Sequence, residues 1–298
     1  MRLCLGTVQF GMDYGLCGGR KPSLEDAVGM LDYATQNGVD AVDTARAYGD
    51  AEEVVGAFLS RRTIPRERLF VVSKFGVESL ARSGGGDRSA GLVAAAEESL
   101  SRLRTDYLDA FVCHAASCAG NADVTAAMAD LKRRGLARHV GFSVYETNEA
   151  ELALEAESVD FLQLPYSVFD QRMERAGVLA LSRRRGADVH ARSAFVQGLA
   201  LMAEDAVPGH LDRMRPRIRS LQALCDEFGL TRRALAMAFV RRTAGISHLV
   251  FGVDSLGQLR ENIASFGEEV PAEALDRAAE LFADIEPELV MPNKWRKT

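Results

Sequence analysis

Four ionisable side chains of different types lie at the ends of successive apolar segments in this sequence. Asp43 and Tyr48 follow the second such segment, and Lys74 and His114 lie at the ends of the third and fourth. Each residue alone has an ordinary structural explanation: a turn cap, a loop aromatic, a solvated amine or a buried histidine. An acid, a phenol, an amine and an imidazole that meet at one opening are better explained as a set that moves a proton.

The chemistry that fits this set is proton transfer by the phenol of Tyr48. A free tyrosine has a pKa of about 10, and a neighbouring ammonium group lowers that pKa because it favours the phenolate. We expect Lys74 to supply that charge and Asp43 to keep the lysine charged and oriented. His114 is expected to hydrogen-bond the carbonyl oxygen that Tyr48 protonates. The four residues therefore predict the polarisation of a carbonyl group.

The elements that must position these side chains are short apolar segments that alternate with amphipathic, helix-like segments along the whole chain. Eight segments are predicted to be strands: LCLGTVQF from Leu3, VDAVDT from Val39, LFVVSKF from Leu69, YLDAFVCH from Tyr107, HVGFS from His139, DFLQLPY from Asp160, ADVHARSAF from Ala187 and SHLVFGV from Ser247. An alternation without a break in composition favours a closed barrel over an open sheet. We therefore predict a single α/β domain over residues 1–298, a (β/α)8 TIM barrel with an N-terminal strand segment and a C-terminal helical tail.

The composition is close to that of an average soluble globular protein, with 47% hydrophobic and 26% charged residues among 298. The 36 Lys and Arg residues are outnumbered by 42 Asp and Glu residues, and the net charge is -6 at pH 7. Nucleic acid and anionic membranes are therefore not expected as partners. The first residues do not resemble a signal peptide and no apolar run reaches about 18 residues, so we expect a cytoplasmic protein.

Cysteine usage indicates free thiols. The five cysteines are Cys4, Cys17, Cys113, Cys118 and Cys225. They form no CxxC pair, and an odd number in a chain of this length argues against a disulfide framework.

Two long loops and the C-terminal tail stand out from the regular alternation. Gly84–Gly86 follow the third predicted strand and the segment VPGHLDRMRPR follows the seventh, and both are expected on the catalytic face of a barrel. We interpret the three glycines as a slack surface connection. The tail is predicted to form a helix from Pro271 to Asp284. Trp295, beyond it, either covers a rim of the barrel or packs the terminus.

Six motifs occur in the order in which they occur in one known family: DTARAYGDAEEVVG, VVSKFG, YLDAFVCH, HVGFSVYE, FLQLPYSVFDQR and VFGVDSLGQLREN. On these motifs the chain resembles the aldo-keto reductases from Gly6 to about Asn262. The resemblance implies a (β/α)8 barrel and reversible hydride transfer between a nicotinamide cofactor and a carbonyl or alcohol. It also implies that Tyr48 is the general acid and base, with Asp43, Lys74 and His114 as its partners.

The same resemblance implies a set of cofactor-binding residues. By position they are Gly6 and Thr7 on the nicotinamide side, Ser143 and Gln163 at the carboxamide, Arg192 in place of the aromatic that usually stacks on the ring, Ser193, Phe195 and Gly198 at the pyrophosphate, and Gly252, Ser255, Gln258, Glu261 and Asn262 at the adenosine. Val144 stands where the family usually has asparagine. Ordinary strand-end packing remains an alternative for the first-strand pair and for the pyrophosphate segment.

Asp254 bears on the choice between NAD(H) and NADP(H). It stands where many members of the family place a cation that holds the 2'-phosphate, and a carboxylate there would repel that phosphate. We therefore expect a weak preference for NAD(H), although Asp254 has helix capping as an ordinary alternative. Four arginines are the residues that would reverse this preference if they reached the phosphate: Arg213, Arg215, Arg217 and Arg260.

The substrate is expected to be a small molecule with a carbonyl group, either an aldehyde, a ketone or a sugar. Residues predicted to form an apolar or sugar-stacking wall are Phe10, Met12, Tyr14, Phe75 and Tyr145, with core packing as the alternative for Phe10 and Phe75. A cofactor-binding regulatory or redox-sensing subunit with little turnover is the alternative function. A metal-dependent hydrolase is not expected, because His114 has no second histidine at a suitable spacing.

Overall fold

Eight parallel strands close into a barrel in which each strand pairs with its neighbours in chain order. The computed structural model describes residues 1–16, 19–81 and 88–295. The strands are β1 Arg2–Gly6, β2 Ala41–Asp43, β3 Phe70–Phe75, β4 Leu108–Cys113, β5 Ala137–Ser143, β6 Phe161–Pro165, β7 Asp188–Arg192 and β8 His248–Gly252. The predicted (β/α)8 barrel is confirmed, and the predicted N-terminal strand segment is β1, which pairs with β8 to close the barrel.

Helices occupy the connections between the strands and the C-terminal tail. The α-helices in the described residues are α1 Val8–Gly11, α2 Leu24–Gln36, α3 Ala51–Ser60, α4 Arg88–Leu103, α5 Ala122–Arg133, α6 Thr147–Glu155, α7 Arg172–Arg175, α8 Val178–Arg185, α9 Arg215–Phe228, α10 Arg232–Arg241, α11 Leu256–Gly267, α12 Ala272–Leu281 and α13 Pro287–Val290. Short 3-10 helices span Arg66–Arg68, Val77–Ala81, Ala116–Cys118, Leu199–Leu201, Glu204–Ala206, Gly209–Met214 and Pro292–Lys294. None of the described helices has both the length and the apolar composition needed to cross a membrane.

Local sequence explains why these elements begin and end where they do. The strands are apolar on both faces because helices cover the outside while side chains fill the inside. Ser23, Asn121 and Thr231 cap the first turns of α2, α5 and α10 through their side-chain oxygens. Gly186 and Gly229 end α8 and α9 in the left-handed conformation that glycine adopts most easily. These signals fix the order of strands and helices that brings the carboxyl ends of the strands together.

The first and seventh strands are shorter than predicted. β1 ends at Gly6, and the following residues turn into α1, where Phe10 is buried. β7 ends at Arg192, because Ser193 has a φ of 66° and the chain leaves the sheet there. Both differences lie at the carboxyl end of the barrel, where the backbone must turn towards the opening.

The long loops and the tail differ in part from expectation. Gly84–Gly86 and Cys17 lie outside the described residues, and the other four cysteines are free thiols. The segment after β7 forms three short 3-10 helices before α9. The predicted tail helix is α12, which is shorter than the predicted range because Pro271 is its N-cap and the helix ends at Leu281.

Candidate active site

The four candidate proton-transfer residues meet at the carboxyl end of the barrel. Asp43 is the last residue of β2, Lys74 lies in β3, and His114 directly follows β4. The Nζ atom of Lys74 lies 2.7 Å from Oδ2 of Asp43 and 3.4 Å from the phenol oxygen of Tyr48. The ring of His114 stands edge-on to the Tyr48 ring, with 5.4 Å between the ring centroids. The structure therefore brings the four side chains into one cluster.

The backbone of Tyr48 and Gly49 packs closely against the backbone of Gly11, and this contact holds Tyr48 in place. It lies in the turn between β2 and α3, and this turn packs directly against the end of α1. A Cβ atom on Gly11 would lie 1.6 Å from the carbonyl oxygen of Tyr48, and one on Gly49 would lie 2.2 Å from the carbonyl oxygen of Gly11. Gly49 also has a φ of 58°, which other residues rarely adopt. Glycine at both positions therefore fixes the backbone that carries the phenol.

Lys74 is a fully buried cation whose hydrogen bonds are satisfied. Its ammonium group donates to Asp43 and, at 3.0 Å, to the carbonyl oxygen of Thr44. Burial alone would lower the pKa of Lys74, but the charges of Asp43 and Tyr48 and the hydrogen bonds to both together outweigh this and raise the pKa above its usual value. The second carboxylate oxygen of Asp43 accepts a 2.7 Å hydrogen bond from Nε2 of Gln163. The lysine is therefore held charged beneath Tyr48.

The pKa of Tyr48 differs from the sequence-based expectation. Burial raises the pKa above 10, and the opposing charge of Lys74 only limits this rise. The expectation that the ammonium group brings the phenol closer to neutrality is therefore wrong as a net effect, because desolvation is the larger influence. At neutral pH the phenol carries its proton, which is the form that a general acid needs.

His114 is neutral in this environment. Burial, together with the positive charge of Lys74, lowers the pKa of His114 to about 4. Its backbone N–H donates a 2.8 Å hydrogen bond to the carbonyl oxygen of Phe75, which fixes the residue at the strand end. A neutral imidazole beside a protonated phenol can offer a hydrogen bond to an oxygen atom without adding charge.

A cavity of about 630 Å³ opens above this cluster at the carboxyl end of the barrel. It has the size expected of a site for a small molecule or cofactor. Residues predicted as functional that line it are Gly6, Thr7, Tyr14, Asp43, Tyr48, His114, Ser143, Tyr145, Gln163, Arg192, Ser193, Phe195, Gly198, Gly252, Asp254, Gln258 and Asn262. Lys74 lies beneath the cavity floor.

The family assignment follows from a comparison with known proteins. A model of the Aldo/keto reductase family matches residues 2–282. This chain belongs to the aldo-keto reductase family. It is accordingly an NAD(P)H-dependent oxidoreductase, and the resemblance stated from the sequence motifs is confirmed.

Relatives of this reductase include enzymes named for a small carbonyl substrate. It is 28% identical over 260 residues to the NADH-specific methylglyoxal reductase of Escherichia coli strain K12, covering 76% of this chain and 78% of the relative. It is 29% identical over 177 residues to methylglyoxal reductase DkgB of Escherichia coli O157:H7, covering 57% and 62% of the two chains.

Solved structures share the same fold. An aldo-keto reductase of Bacillus halodurans, solved in its holo form, superposes with a TM-score of 0.78 at 20% identity and covers 99% of this chain and 95% of the other. An aldo/keto reductase of Klebsiella pneumoniae, solved with NADP and acetate, superposes with a TM-score of 0.71 at 23% identity, covering 94% and 91%. At these identities the likeness shows the fold alone.

A strained turn after β7 forms one wall of the reductase cavity. Ser193, Val196 and Gln197 have φ angles of 66°, 48° and 54°. Such angles are rare outside glycine and strain a β-branched residue such as Val196 in particular. Left-handed residues in a turn can direct backbone N–H groups towards an anion. Phe195 and Gly198, predicted at the pyrophosphate, lie in this turn and line the cavity.

The predicted adenosine residues divide into two groups. Ser255 is the N-cap of α11, where its Oγ accepts a hydrogen bond from the backbone N–H of Gln258. Gln258 in turn accepts a 2.9 Å hydrogen bond from the backbone N–H of Asp254. Asp254, Gln258 and Asn262 line the cavity, whereas Ser255 and Glu261 do not. Ser255 therefore shapes the loop and does not face the cavity.

Asp254 lies against the loop that follows α1. A Cβ atom on Gly19 would lie 2.6 Å from Oδ1 of Asp254, so the loop backbone covers this carboxylate closely. That oxygen is buried and has no hydrogen-bond partner among the described residues. Burial raises the pKa of Asp254, and its carboxylate has no paired cation in the part of the chain that the structure describes. The residue is therefore placed at the edge of the cavity with its charge unneutralised.

Sequence reasoning missed the cation that does face this part of the cavity. Arg233 in α10 lines the cavity, and its guanidinium donates to Asn262 and, at 2.8 Å, to Glu261. The sequence of α10 shows only an amphipathic pattern, and such a pattern does not reveal that the side chain of Arg233 points into the cavity. The four arginines considered from the sequence do not line the cavity: Arg213, Arg215, Arg217 and Arg260.

Arg192 is also engaged with protein groups. Its guanidinium lies over the ring of Tyr145 at 3.9 Å and donates a 2.9 Å hydrogen bond to the carbonyl oxygen of Val144. The residue that replaces the usual stacking aromatic is thus itself stacked on an aromatic ring and faces the cavity.

The predicted substrate wall is only partly found at the cavity. Tyr14 and Tyr145 line it, and Nε2 of Gln197 donates a 2.9 Å hydrogen bond to the Tyr14 hydroxyl. Phe10 and Phe75 do not, because both are fully buried in the hydrophobic core. Met12 is 42% exposed and is not among the lining residues.

The C-terminal tail reaches the same opening. Pro292 lines the cavity, which the sequence did not reveal. The Nε1 atom of Trp295 donates a 3.1 Å hydrogen bond to the carbonyl oxygen of Glu288, and its ring meets that of His210. Trp295 therefore packs the tail against the segment after β7.

Proposed function

We propose that this reductase uses Tyr48 to protonate the carbonyl oxygen of a small aldehyde, ketone or sugar. A bound nicotinamide cofactor would supply the hydride. The observation that carries the proposal is the contact of a protonated phenol, at the floor of the cavity, with a buried and fully hydrogen-bonded lysine. A proton donor held in this way is ready to act without reorganisation.

The partners of Tyr48 have separate parts in this proposal. Lys74 donates to the phenol oxygen, so it stabilises the phenolate that remains after the proton has left. Asp43 holds Lys74 in place and is itself held by Gln163. His114, neutral at working pH, donates a hydrogen bond to the same substrate oxygen and helps to orient the carbonyl group.

The cavity residues fit a nicotinamide cofactor. Ser143 and Gln163 are direct register partners on β5 and β6, so their side chains present adjacent polar groups where the family binds the carboxamide. Gln9 and Asp254, which also line the cavity, each carry a buried oxygen atom that has no partner within residues 1–16, 19–81 and 88–295. Orphaned polar atoms at a cavity wall are expected where a polar ligand completes the site.

NADH is the cofactor that the charges favour. Among the described residues, the cations that line the cavity are Arg192 and Arg233, and both already bind protein groups. Asp254 adds an unpaired negative charge at the end where a 2'-phosphate would lie. The NADH-specific relative in Escherichia coli is consistent with this preference. NADH is therefore used at least as well as NADPH.

Small carbonyl compounds are the first substrates to examine. Two relatives are named as methylglyoxal reductases. Tyr14 and Tyr145 give the cavity an aromatic wall that suits a compact carbonyl compound or the face of a sugar.

The test is an assay of untagged protein with NADH or NADPH against methylglyoxal, short aldehydes and ketones, and aldose sugars. Oxidation of the reduced cofactor is followed by its absorbance, and cofactor binding is measured separately by fluorescence. Turnover of at least one carbonyl compound is the expected result. Tight binding of both cofactors with no turnover across the panel would overturn the proposal and support the regulatory or redox-sensing alternative.

A further inference from the structure

A second group of ionisable side chains lies at the amino end of the barrel, away from the cavity. We name it the base cluster, and it consists of Asp40, Asp188, His190 and His248. Among the described residues, the last three form the one group of three or more His, Cys, Asp or Glu whose ligand atoms all lie within 4.8 Å of one another. Asp40 lies beside this group, with its Oδ1 3.4 Å from Nε2 of His248.

The strand register creates this cluster. His190 and His248 are directly opposite each other on β7 and β8, and their ring centroids are 4.2 Å apart. Both side chains are fully buried. Phe70 packs against both rings, at 5.3 and 5.9 Å between centroids, and so gives the cluster an apolar cover.

The polar atoms that face one another in the base cluster lack hydrogen bonds. Both ring nitrogens of His190, Nε2 of His248 and Oδ1 of Asp40 are buried without a partner among the described residues. The distance from Nε2 of His190 to Oδ2 of Asp188 is 3.6 Å, which is too long for a hydrogen bond. Buried polar groups are normally satisfied, so four orphaned atoms in one place require an explanation.

Ser247 contacts the ring of His248. Its Oγ atom lies 3.1 Å from the carbonyl oxygen of Val189 and 3.0 Å from Nδ1 of His248. Which of the two atoms donates in the second contact depends on the tautomer of the ring. In either tautomer a neutral His248 ring keeps a lone pair on one nitrogen, which a metal ion can bind.

The ligand atoms of Asp188, His190 and His248 are close enough to share one metal ion after small side-chain shifts. Ligands bound at about 2.0–2.2 Å in a tetrahedral zinc site lie roughly 3.4 Å from one another. The three ligand atoms all lie within 4.8 Å of one another, and Nε2 of His190 is 3.6 Å from Oδ2 of Asp188. Two imidazoles and one carboxylate form a ligand set that zinc accepts, with water in the fourth position.

The outer contacts would hold such ligands in orientation. Ser247 contacts Nδ1 of His248, and Arg2 donates a 2.6 Å hydrogen bond to Oδ2 of Asp40, whose Oδ1 faces Nε2 of His248. Partners of this kind are a regular part of metal sites in proteins.

We propose that Asp188, His190 and His248 of the base cluster bind one divalent transition-metal ion of the Zn²⁺ class between β7 and β8. These three ligands lie at the end of the barrel opposite Tyr48, so the ion has a structural role and takes no part in carbonyl reduction. No metal site was expected from the sequence, because His114 has no second histidine at a suitable spacing and the pairing of His190 with His248 is not visible along the chain.

The test uses untagged protein that has been stripped with a chelator and then titrated with Co²⁺. Four-coordinate Co²⁺ gives strong visible absorption and six-coordinate Co²⁺ gives weak absorption. We expect a strong band that saturates at one equivalent and disappears when Zn²⁺ is added. Thermal unfolding should shift upward with Zn²⁺ and stay unchanged with Mg²⁺, which prefers oxygen ligands.

Variants locate the site. His248→Gln and Asp188→Asn should each weaken Co²⁺ binding by at least about a hundredfold, because losing even an outer partner of a metal ligand costs about ten- to a hundredfold. Asp188 is partly exposed, so Asp188→Asn tests the site even if His248→Gln fails to fold. His139→Gln is the matched control, because His139 lies at the same end of the barrel but pairs with Asp160.

Carbonyl reduction by Asp188→Asn should equal that of the unmodified protein. An absent or weak cobalt band in the unmodified protein would overturn the proposal and indicate that a proton alone bridges the cluster. Equal loss of binding in His139→Gln would also overturn it, because the ion would then be held elsewhere.

Discussion

The two ends of the barrel bury similar polar groups but satisfy them to different degrees. At the carboxyl end, the ammonium of Lys74 and the carboxylate of Asp43 have hydrogen bonds to each other and to further protein atoms. At the amino end, both ring nitrogens of His190 and Nε2 of His248 have no partner among the described residues. The ion pair at the carboxyl end is therefore satisfied by protein atoms, whereas the histidine pair at the amino end is not.

This difference shows that burial alone does not identify a catalytic group. The satisfied end opens into a cavity of about 630 Å³, so its buried charges are fixed and can act on a ligand. At the other end, Phe70 covers the rings of His190 and His248, while Asp40 and Asp188 stay partly exposed. Changes made at one end should therefore affect stability and activity differently from changes made at the other.

The largest effect is expected from Lys74→Met, which breaks the buried ion pair at the carboxyl end. Removing one partner of such a pair typically costs about 3–5 kcal/mol in the free energy of unfolding. Carbonyl reduction should also fall about a hundredfold or more, because Tyr48 loses the neighbouring cation. Urea unfolding and kcat for the best carbonyl substrate measure the two effects.

Lys132→Met is the matched control for Lys74→Met. Lys132 pairs with Asp160 near the amino end, and both side chains of this pair are partly exposed. Its loss should cost less than about 1 kcal/mol and leave kcat unchanged. If the two variants behave alike, the buried pair has no special part in catalysis. A double variant, Lys74→Met with Asp43→Asn, should recover stability but not activity, and it serves if the single variant does not fold.

The second effect concerns the charge at the far end of the cavity. Asp254→Arg replaces an unpaired carboxylate by a cation, so affinity for NADPH relative to NADH should rise about tenfold to a hundredfold, or about 1–3 kcal/mol. Asp254→Asn, which only removes the charge, should give a smaller shift in the same direction. Fluorescence titration with both cofactors measures it. Strong preference for NADPH in the unmodified protein would refute the charge argument.

The third effect concerns the contact that positions Tyr48. Gly11→Ala places a Cβ atom against the carbonyl oxygen of Tyr48, so we expect a loss of about 1–3 kcal/mol in stability and about a tenfold loss in kcat. Gly29→Ala in α2 is the control, because a Cβ there meets no atom within 4 Å. That variant should gain about 0.5–1 kcal/mol and keep full activity. Equal kcat values in both variants would contradict the positional role of Gly11.

The smallest expected effect is on the pH dependence of stability, which should differ between one histidine at each end of the barrel. His114 has a folded-state pKa of about 4, and His139 has a raised pKa because its Nδ1 lies 3.3 Å from the carboxylate of Asp160. In the unfolded chain a histidine titrates near about 6.5. Between about pH 6.5 and 4 the unfolded chain therefore binds a proton that folded His114 rejects, which destabilises the native state as pH falls. His139 stabilises the native state below about pH 6.5, and this contribution is lost as pH rises through its folded-state pKa.

Chemical denaturation between pH 4.5 and 8 checks these opposite signs. His114→Gln should reduce the loss of stability at acid pH by on the order of 1 kcal/mol. His139→Gln should make the protein less stable on the acid side and change little at pH 8. Matching pH profiles for the two variants would show that the two environments do not differ as described.

Much of the fold and of the proton-transfer cluster could be predicted because both depend on local patterns. Strand-length apolar runs identify the strands, and parallel strands in a barrel place Asp43, Lys74 and His114 at one opening. The ends of β1 and β7 were predicted too late, because apolar residues continue past Gly6 and Arg192 into turns. An apolar pattern does not distinguish a strand end from a buried turn.

The remaining features depend on tertiary structure. Phe10 and Phe75 are near the opening in sequence, but their side chains point into the core. Arg233 reaches the cavity from a helix whose orientation the sequence does not show. His190 and His248 are distant in sequence and meet only through the register of β7 and β8. No spacing rule along the chain would have joined them.

The most direct test of the proposed proton donor is Tyr48→Phe, with Tyr107→Phe as the control. Tyr107 lies between two arginines at the start of β4, far from the cavity, and keeps its stacked ring in the variant. Cofactor affinity should be unchanged in both variants, because Tyr48→Phe removes only a hydroxyl group. The kcat for carbonyl reduction should fall at least about a hundredfold in Tyr48→Phe and stay normal in Tyr107→Phe. Near-normal turnover by Tyr48→Phe would contradict the assignment of Tyr48 as the acid.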